Sequence, residues 1–158
     1  MASNQVILTQ AGLEEKQEKL EYLRIVRRGE ISQQIKEARA FGDLSENAEY
    51  DEAKNEQARV ETEIAKLEKV LRDAVVIAES EIDLSTVGIG TTVRIYDKEF
   101  KEEQEYHIVG SVEADADRAH ISNESPVGSA LMGSKVGDTV EVLAPAGSFK
   151  IKIIDIHK

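Results

Sequence analysis

The chain has 158 residues, with 20 Lys plus Arg against 31 Asp plus Glu, a formal net charge of -11, and neither Cys nor Trp. Without cysteine it has no disulfide frame, thiolate zinc site or thiol nucleophile. The acidic excess argues against free-standing nucleic-acid binding, because Lys and Arg supply most non-specific affinity for phosphate. The length fits one domain or two small ones, no apolar run is long enough to span a membrane, and no secretory leader opens the chain; a soluble, cytoplasmic protein is expected.

The composition changes near residue 78. Residues 1–78 contain no proline, just three glycines (Gly12, Gly29, Gly42) and many good helix formers. This part carries 12 basic and 16 acidic residues, and the remainder 8 and 15, so neither half is a cationic surface. The expected fold class is α+β, with a long antiparallel helical hairpin over 1–78 and a linker at 79–87. A small antiparallel β domain with one short helix is expected to complete 79–158.

In chain order, the first helix offers Leu13, Leu20, Leu23, Ile31, Ile35 and Ala38, a rough apolar seam interrupted near Arg27-Arg28-Gly29. A glycine inside a helix costs about 1 kcal/mol, so a bend is expected at Gly29. Gly42 is placed to end this helix, with a tip at 42–47. The second helix carries a steadier seam of Tyr50, Ala53, Gln57, Val60, Ile64, Leu67, Leu71 and Ala74, the heptad pattern of coiling helices. Arms of about thirty residues would project roughly 45 Å. Beyond the linker, strands are expected at Thr91–Tyr96, Glu105–Val109, Ala119–Ile121, Thr139–Leu143 and Phe149–Ile156. A short helix is expected over Pro126–Met132, entered through Ser125-Pro126.

Asp43 and Glu46 stand three residues apart at the tip. They suit the N-cap and third position of a helix, which would make them a capping box. The same spacing puts two carboxylates on one face, where hard oxygens suit Mg²⁺ but supply too few ligands for a complete site. Both readings stand on the residues alone. Glycoside chemistry fits poorly, because its carboxylate pair works inside a cleft that grips a sugar.

The segment Glu37-Ala-Arg-Ala-Phe-Gly-Asp-Leu-Ser-Glu-Asn-Ala-Glu-Tyr50 resembles the tip of the bacterial Gre transcript cleavage factors. Ile121-Ser-Asn-Glu-Ser-Pro-Val-Gly-Ser-Ala-Leu-Met-Gly-Ser-Lys-Val-Gly-Asp-Thr-Val-Glu-Val142 resembles their C-terminal signature. The resemblance covers essentially the whole chain. It implies a coiled-coil hairpin followed by an FKBP-like domain, in a monomer that binds RNA polymerase and enters its secondary channel. It implies stimulated cleavage of backtracked RNA 3′ ends, with the nascent RNA met indirectly and no membrane partner. Asp43 and Glu46 would be the catalytic acids, holding a Mg²⁺ shared with the polymerase; no cofactor would be bound stably by the chain alone, which would not itself be an enzyme. Asn47 and Tyr50 would support the tip, although Tyr50 also fits the seam.

Arg39, Lys54 and Arg59 flank the tip. They read either as solvated helix charges or, through the resemblance, as a small basic cluster that steers RNA and favours short backtracks. Ser122, Glu124, Ser125 and Pro126 form a strand-to-helix turn on their own chemistry, and a polymerase contact by the resemblance. His107, His120 and His157 show no ligand spacing. An FKBP-like fold raises prolyl isomerisation, but just Tyr96, Phe100, Tyr106 and Phe149 could wall such a pocket. The main alternative is a related factor that occupies the channel and inhibits the polymerase; Asp43-Leu-Ser-Glu46 keeps the cleavage-type pattern instead. A purely structural helical adaptor would leave the tip motif unexplained.

Overall fold

The computed structural model describes residues 6–41 and 47–158. The chain divides into two units, Met1–Gly12 with Ala74–Lys158, and Leu13–Asp73. The boundary expected at residue 78 therefore lies a few residues earlier, and a short N-terminal segment belongs to the β-rich unit.

That segment is β1 (Val6–Thr9), which pairs in parallel with β2 (Ala74–Ile77). Both had been expected to continue the helices. Their residues are mostly β-branched, with Leu8 and Ala74 the exceptions, and a run of four is too short to distinguish a strand from a seam. Ala74, expected on the seam, instead opens β2 opposite Val6.

Helix α1 (Gln10–Tyr22) runs through a π-helical turn at Leu23–Arg27 into α2 (Arg28–Arg39). The expected irregularity is real, but it precedes Gly29, which lies in regular helix with nothing within 4 Å of where a Cβ would stand. Its cause is the register of the apolar residues. Leu20 and Leu23 set a heptad whose next core positions are residues 27 and 30, yet Arg27 is half-buried and the buried residue is Ile31. One inserted residue in a π turn absorbs that offset. Its cost is apolar exposure, since Ile25 and Val26 face solvent.

Helix α3 (Ala48–Asp73) packs its Val60, Ile64 and Leu67 against Leu20, Leu23 and Ile31, with Ile35 and Leu71 beside them. Ion pairs line both flanks of this seam. Arg24 meets Glu68 at 2.7 Å and Arg28 meets Glu61 at 2.7 Å on one side; Lys19 meets Glu63 at 2.9 Å and Arg27 meets Glu56 at 3.3 Å on the other. Most are exposed and screened by solvent, so they fix pairing direction and register more than stability. The partners are antiparallel.

The β-rich unit centres on five strands: β3 (Thr92–Asp97), β4 (Glu102–Val109), β5 (His120–Ser122), β6 (Thr139–Ala144) and β7 (Gly147–His157). They lie in the order β5-β4-β3-β7-β6. The sheet is mixed, not wholly antiparallel as expected, because β5 runs parallel to β4 after a connection through two 3₁₀ turns. β4 also begins three residues earlier than expected: Glu102–Gln104 are exposed and give no alternation, but their backbones pair with Ile95–Asp97. The core under the sheet comprises Val87, Val93, Ile95, Ile108, Leu131, Val142, Ile151 and Ile153, with α4 (Pro126–Leu131) closing it. Tyr106 and Phe149 pack against this core. Among the described residues, no helix is long and apolar enough to cross a membrane.

Candidate functional site

At the tip, α2 carries Lys36 and Arg39 in its last turn, and α3 carries Glu49 and Asp51 in its first. Each charge opposes the partial charge of its helix end. Asp43 and Glu46, with the rest of 42–46, lie outside the described residues. So does the capping box expected of them, and the cap of α3 is Asn47. Its Oδ1 accepts from the Tyr50 N–H at 3.1 Å, the bond an N-cap makes to the third helical residue. Its Nδ2 donates to the Ala38 carbonyl at 2.6 Å, one of the end carbonyls of α2. One amide thus closes both helix ends and fixes the two points between which the connection passes.

The other tip residues surround this closure. The Arg39 guanidinium lies 5.8 Å from the centre of the Tyr50 ring, a cation–π contact between α2 and α3. Tyr50 is half-buried there. Lys54 donates to Gln57 Oε1 at 3.1 Å, and Arg59 pairs with Glu56, which also receives Arg27. Thus Arg39 sits at the tip itself, whereas the Arg59 charge is engaged along the helix. Between the arms lies an open groove of about 840 Å³ lined by Glu37, Glu49, Asp51, Glu52 and Glu56, with Arg27, Arg59 and exposed Phe41. Its acid excess would repel a phosphate backbone and attract cations.

The second candidate region is built by capping chemistry. The Ser125 hydroxyl accepts from the Gly128 N–H at 3.1 Å and donates to the Ser122 carbonyl at 2.7 Å, while Pro126 occupies the first turn of α4. Gly128 is required by close approach, since a Cβ there would lie 1.9 Å from the Ser122 carbonyl oxygen. Ser122 is buried and its hydroxyl accepts from the Glu124 N–H at 3.0 Å. Glu124 and Pro126 are therefore the members that a rigid turn presents to solvent.

Two groupings escape sequence reasoning. His107 on β4 and His120 on β5 are register partners with ring centres 5.0 Å apart, and Thr92 Oγ1 lies 3.0 Å from His107 Nδ1. Burial holds the His107 pKa below its ordinary value, and the His120 charge adds to this, while Glu113 opposes it. His157 shares the row, because Thr92 pairs with both His107 and His157. Thr9 and Glu113 are joined by two hydrogen bonds across 104 positions of sequence. No local pattern signals either grouping, since each depends on strand pairing across the sheet.

Comparison with known proteins bears on the chain as a whole. Residues 6–76 match the family model "Transcription elongation factor, N-terminal", and residues 82–158 match "Transcription elongation factor, GreA/GreB, C-term". Transcription elongation factor GreA of Thermoanaerobacter pseudethanolicus is 58% identical over 156 residues, 99% of each chain. GreA of Clostridioides difficile is 53% identical, covering 99% of this chain and 98% of its own. The solved GreA factor homolog 1 (Gfh1) of Thermus thermophilus is 31% identical over 98% of this chain and 99% of its own, with a TM-score of 0.45. The chain belongs to the GreA/GreB family of transcription elongation factors.

Proposed function

We propose that this elongation factor acts in the cytoplasm on bacterial RNA polymerase as a monomer, passing its hairpin through the secondary channel to stimulate cleavage of backtracked RNA 3′ ends. On this reading the apolar seam and its flanking ion pairs form a coiled coil, and the β-rich unit is the FKBP-like body that remains outside. Glu124 and Pro126, presented by the turn that Ser122 and Ser125 build, contact the polymerase.

The observation that supports this reading best is the closure at Asn47. It brings the ends of α2 and α3 together, and in the sequence Asp43 and Glu46 belong to the five residues that link Phe41 to Asn47. Their hard carboxylate oxygens suit Mg²⁺, but two side chains leave most of an octahedron to waters and to the partner's groups. A Mg²⁺ held between Asp43, Glu46 and the polymerase would supply charge neutralisation and activate the attacking water. The catalysed bond cleavage belongs to the polymerase. On this reading Arg39, held over Tyr50 at the end of α2, belongs with Lys54 and Arg59 to a small steering cluster suited to short extruded RNAs.

The test is a backtracked polymerase complex incubated with Mg²⁺ and the factor. Release of short 3′ RNA fragments is expected, and Asp43→Ala or Glu46→Ala should abolish it while polymerase binding is retained. Full cleavage by either variant overturns the assignment. Slowed elongation without fragments identifies the inhibitory alternative.

A further inference from the structure

Strand pairing assembles a polar row that no stretch of sequence displays. His107 on β4 is the register partner of His120 on β5 and of Thr92 on β3, and Asp115 meets His120 in a single bridge. Register partners share a face of the sheet, so Asp115, His120, His107 and Thr92 lie side by side. The next residues along the strands, Ile108 and Val93, belong to the core on the opposite face.

Within this row the two rings are spaced as ligands of one ion would be. Zinc–nitrogen bonds of about 2.0–2.1 Å, added to the ring's own radius, put each ring centre about 3.2 Å from a shared ion, and a tetrahedral angle then separates the centres by about 5 Å. The observed separation is 5.0 Å. Thr92 Oγ1 lies 3.0 Å from His107 Nδ1. A hydroxyl that accepts from Nδ1–H keeps the proton there and leaves the Nε2 lone pair for a metal, as the supporting groups of ligand histidines do. Burial, with His120 beside it, holds the His107 pKa below its ordinary value, so near neutral pH an ion displaces no proton from this ring.

The nearby acids are engaged. The Asp115 carboxylate accepts from the Asp117 N–H at 3.0 Å and pairs with Arg118 at 3.3 Å, while Glu113 holds Thr9. Among the described residues no set of three His, Asp or Glu could hold a metal, so water would fill the positions that the two rings leave open.

We propose that His107 and His120 together bind a divalent transition ion of the zinc class and so fasten the three-residue edge strand β5 to β4. Imidazole nitrogens suit Zn²⁺, whereas Mg²⁺ prefers oxygen. The site draws on no tip residue and is separate from the Mg²⁺ of the proposed cleavage reaction.

The test titrates Zn²⁺ into the metal-free full chain by calorimetry, with and without millimolar Mg²⁺, and follows the imidazole nitrogens and backbone amides by NMR. One ion per chain is expected, undisturbed by Mg²⁺. Nitrogen resonances of His107 and His120 should shift, while those of His157, whose ring faces Asp155 and Glu105, should not. Exchange should slow at the His107 N–H, which donates to the Ala119 carbonyl, and at the Asn123 N–H, which donates to the Val109 carbonyl. His107→Asn and His120→Asn should each weaken binding by at least about tenfold, and His157→Asn should bind as the parent does. Absence of saturable binding, or Zn²⁺ that leaves both rings' resonances unmoved, reduces the pair to a packing contact and overturns the inference. Undiminished binding in either His107→Asn or His120→Asn overturns it too, as does displacement by Mg²⁺, which would assign the ion to carboxylates. The resonances are read in the parent chain, so the test stands even where a variant fails to fold.

Discussion

Asn47 donates from Nδ2 to the carbonyl of Ala38 at 2.6 Å, while its Oδ1 receives the Tyr50 N–H, so one side chain closes two helices. No other side chain of similar size does both, because the role needs a donor and an acceptor on one short planar group. Asn47→Asp keeps the cap and adds a favourable charge at the helix start, but loses the donor and sets a carboxylate against a carbonyl. Asn47→Ala loses both bonds. Urea unfolding should rank the three as Asn, then Asp, then Ala, with Ala about 1–2 kcal/mol below the parent. Equal stability of the alanine variant would show that the closure is incidental.

Gly29 gives a prediction in the opposite direction. It lies inside α2, exposed, with nothing near its absent Cβ. Gly29→Ala should therefore stabilise the hairpin by about 0.5–1 kcal/mol, through helix propensity and a less flexible unfolded chain. The same unfolding measurement checks it. A loss of stability would mean that the bend does lie at Gly29.

The contrast between Gly29 and Leu23–Arg27 shows what was legible in the sequence and what was not. The seam of α3 was readable because Val60, Ile64 and Leu67 keep an unbroken heptad, and the register fault in the first helix was visible as well. Its position was not, because a glycine is a conspicuous residue and a π turn has no residue signature. Strands in the β-rich unit were readable wherever burial alternates, as in Val93 and Ile95, and not where exposed residues pair through backbone alone, as at Glu102–Gln104. The Ser125-Pro126 turn was legible as local chemistry. The Thr9–Glu113 clasp and the His107–His120 pair were not, since long-range pairing creates them.

The contact between Arg39 and Tyr50 depends on the ring face and not on the phenol oxygen. Tyr50→Phe should leave it intact, whereas Tyr50→Leu should remove about 0.5–1 kcal/mol of interaction with Arg39. A double-mutant cycle with Arg39→Ala isolates that coupling. If Arg39 is aimed by the ring, Tyr50→Leu should also shift cleavage in the same direction as Arg39→Ala, while Tyr50→Phe behaves as the parent. No coupling in the cycle would reduce the pair to mere proximity.

The half-buried His107 makes stability depend on pH. Burial first, and the His120 charge on β5 second, hold the His107 pKa below the ordinary 6.5; Glu113, from the neighbouring 3₁₀ turn, pulls the other way, and Thr92 on β3 contacts Nδ1. The unfolded chain takes up a proton at this ring more readily than the folded one does, so stability rises with pH through the interval below 6.5. The contribution is complete above that pH and is lost as acidification drives the ring toward its charged form. Melting temperature should fall between pH 7 and pH 5, and His107→Asn, which keeps a polar group near Thr92 without the titration, should flatten that fall. Glu113→Ala removes the one charge that favours protonated His107 among those acting on it, so it should deepen the acid loss. An unchanged profile in His107→Asn would assign the acid sensitivity to other groups.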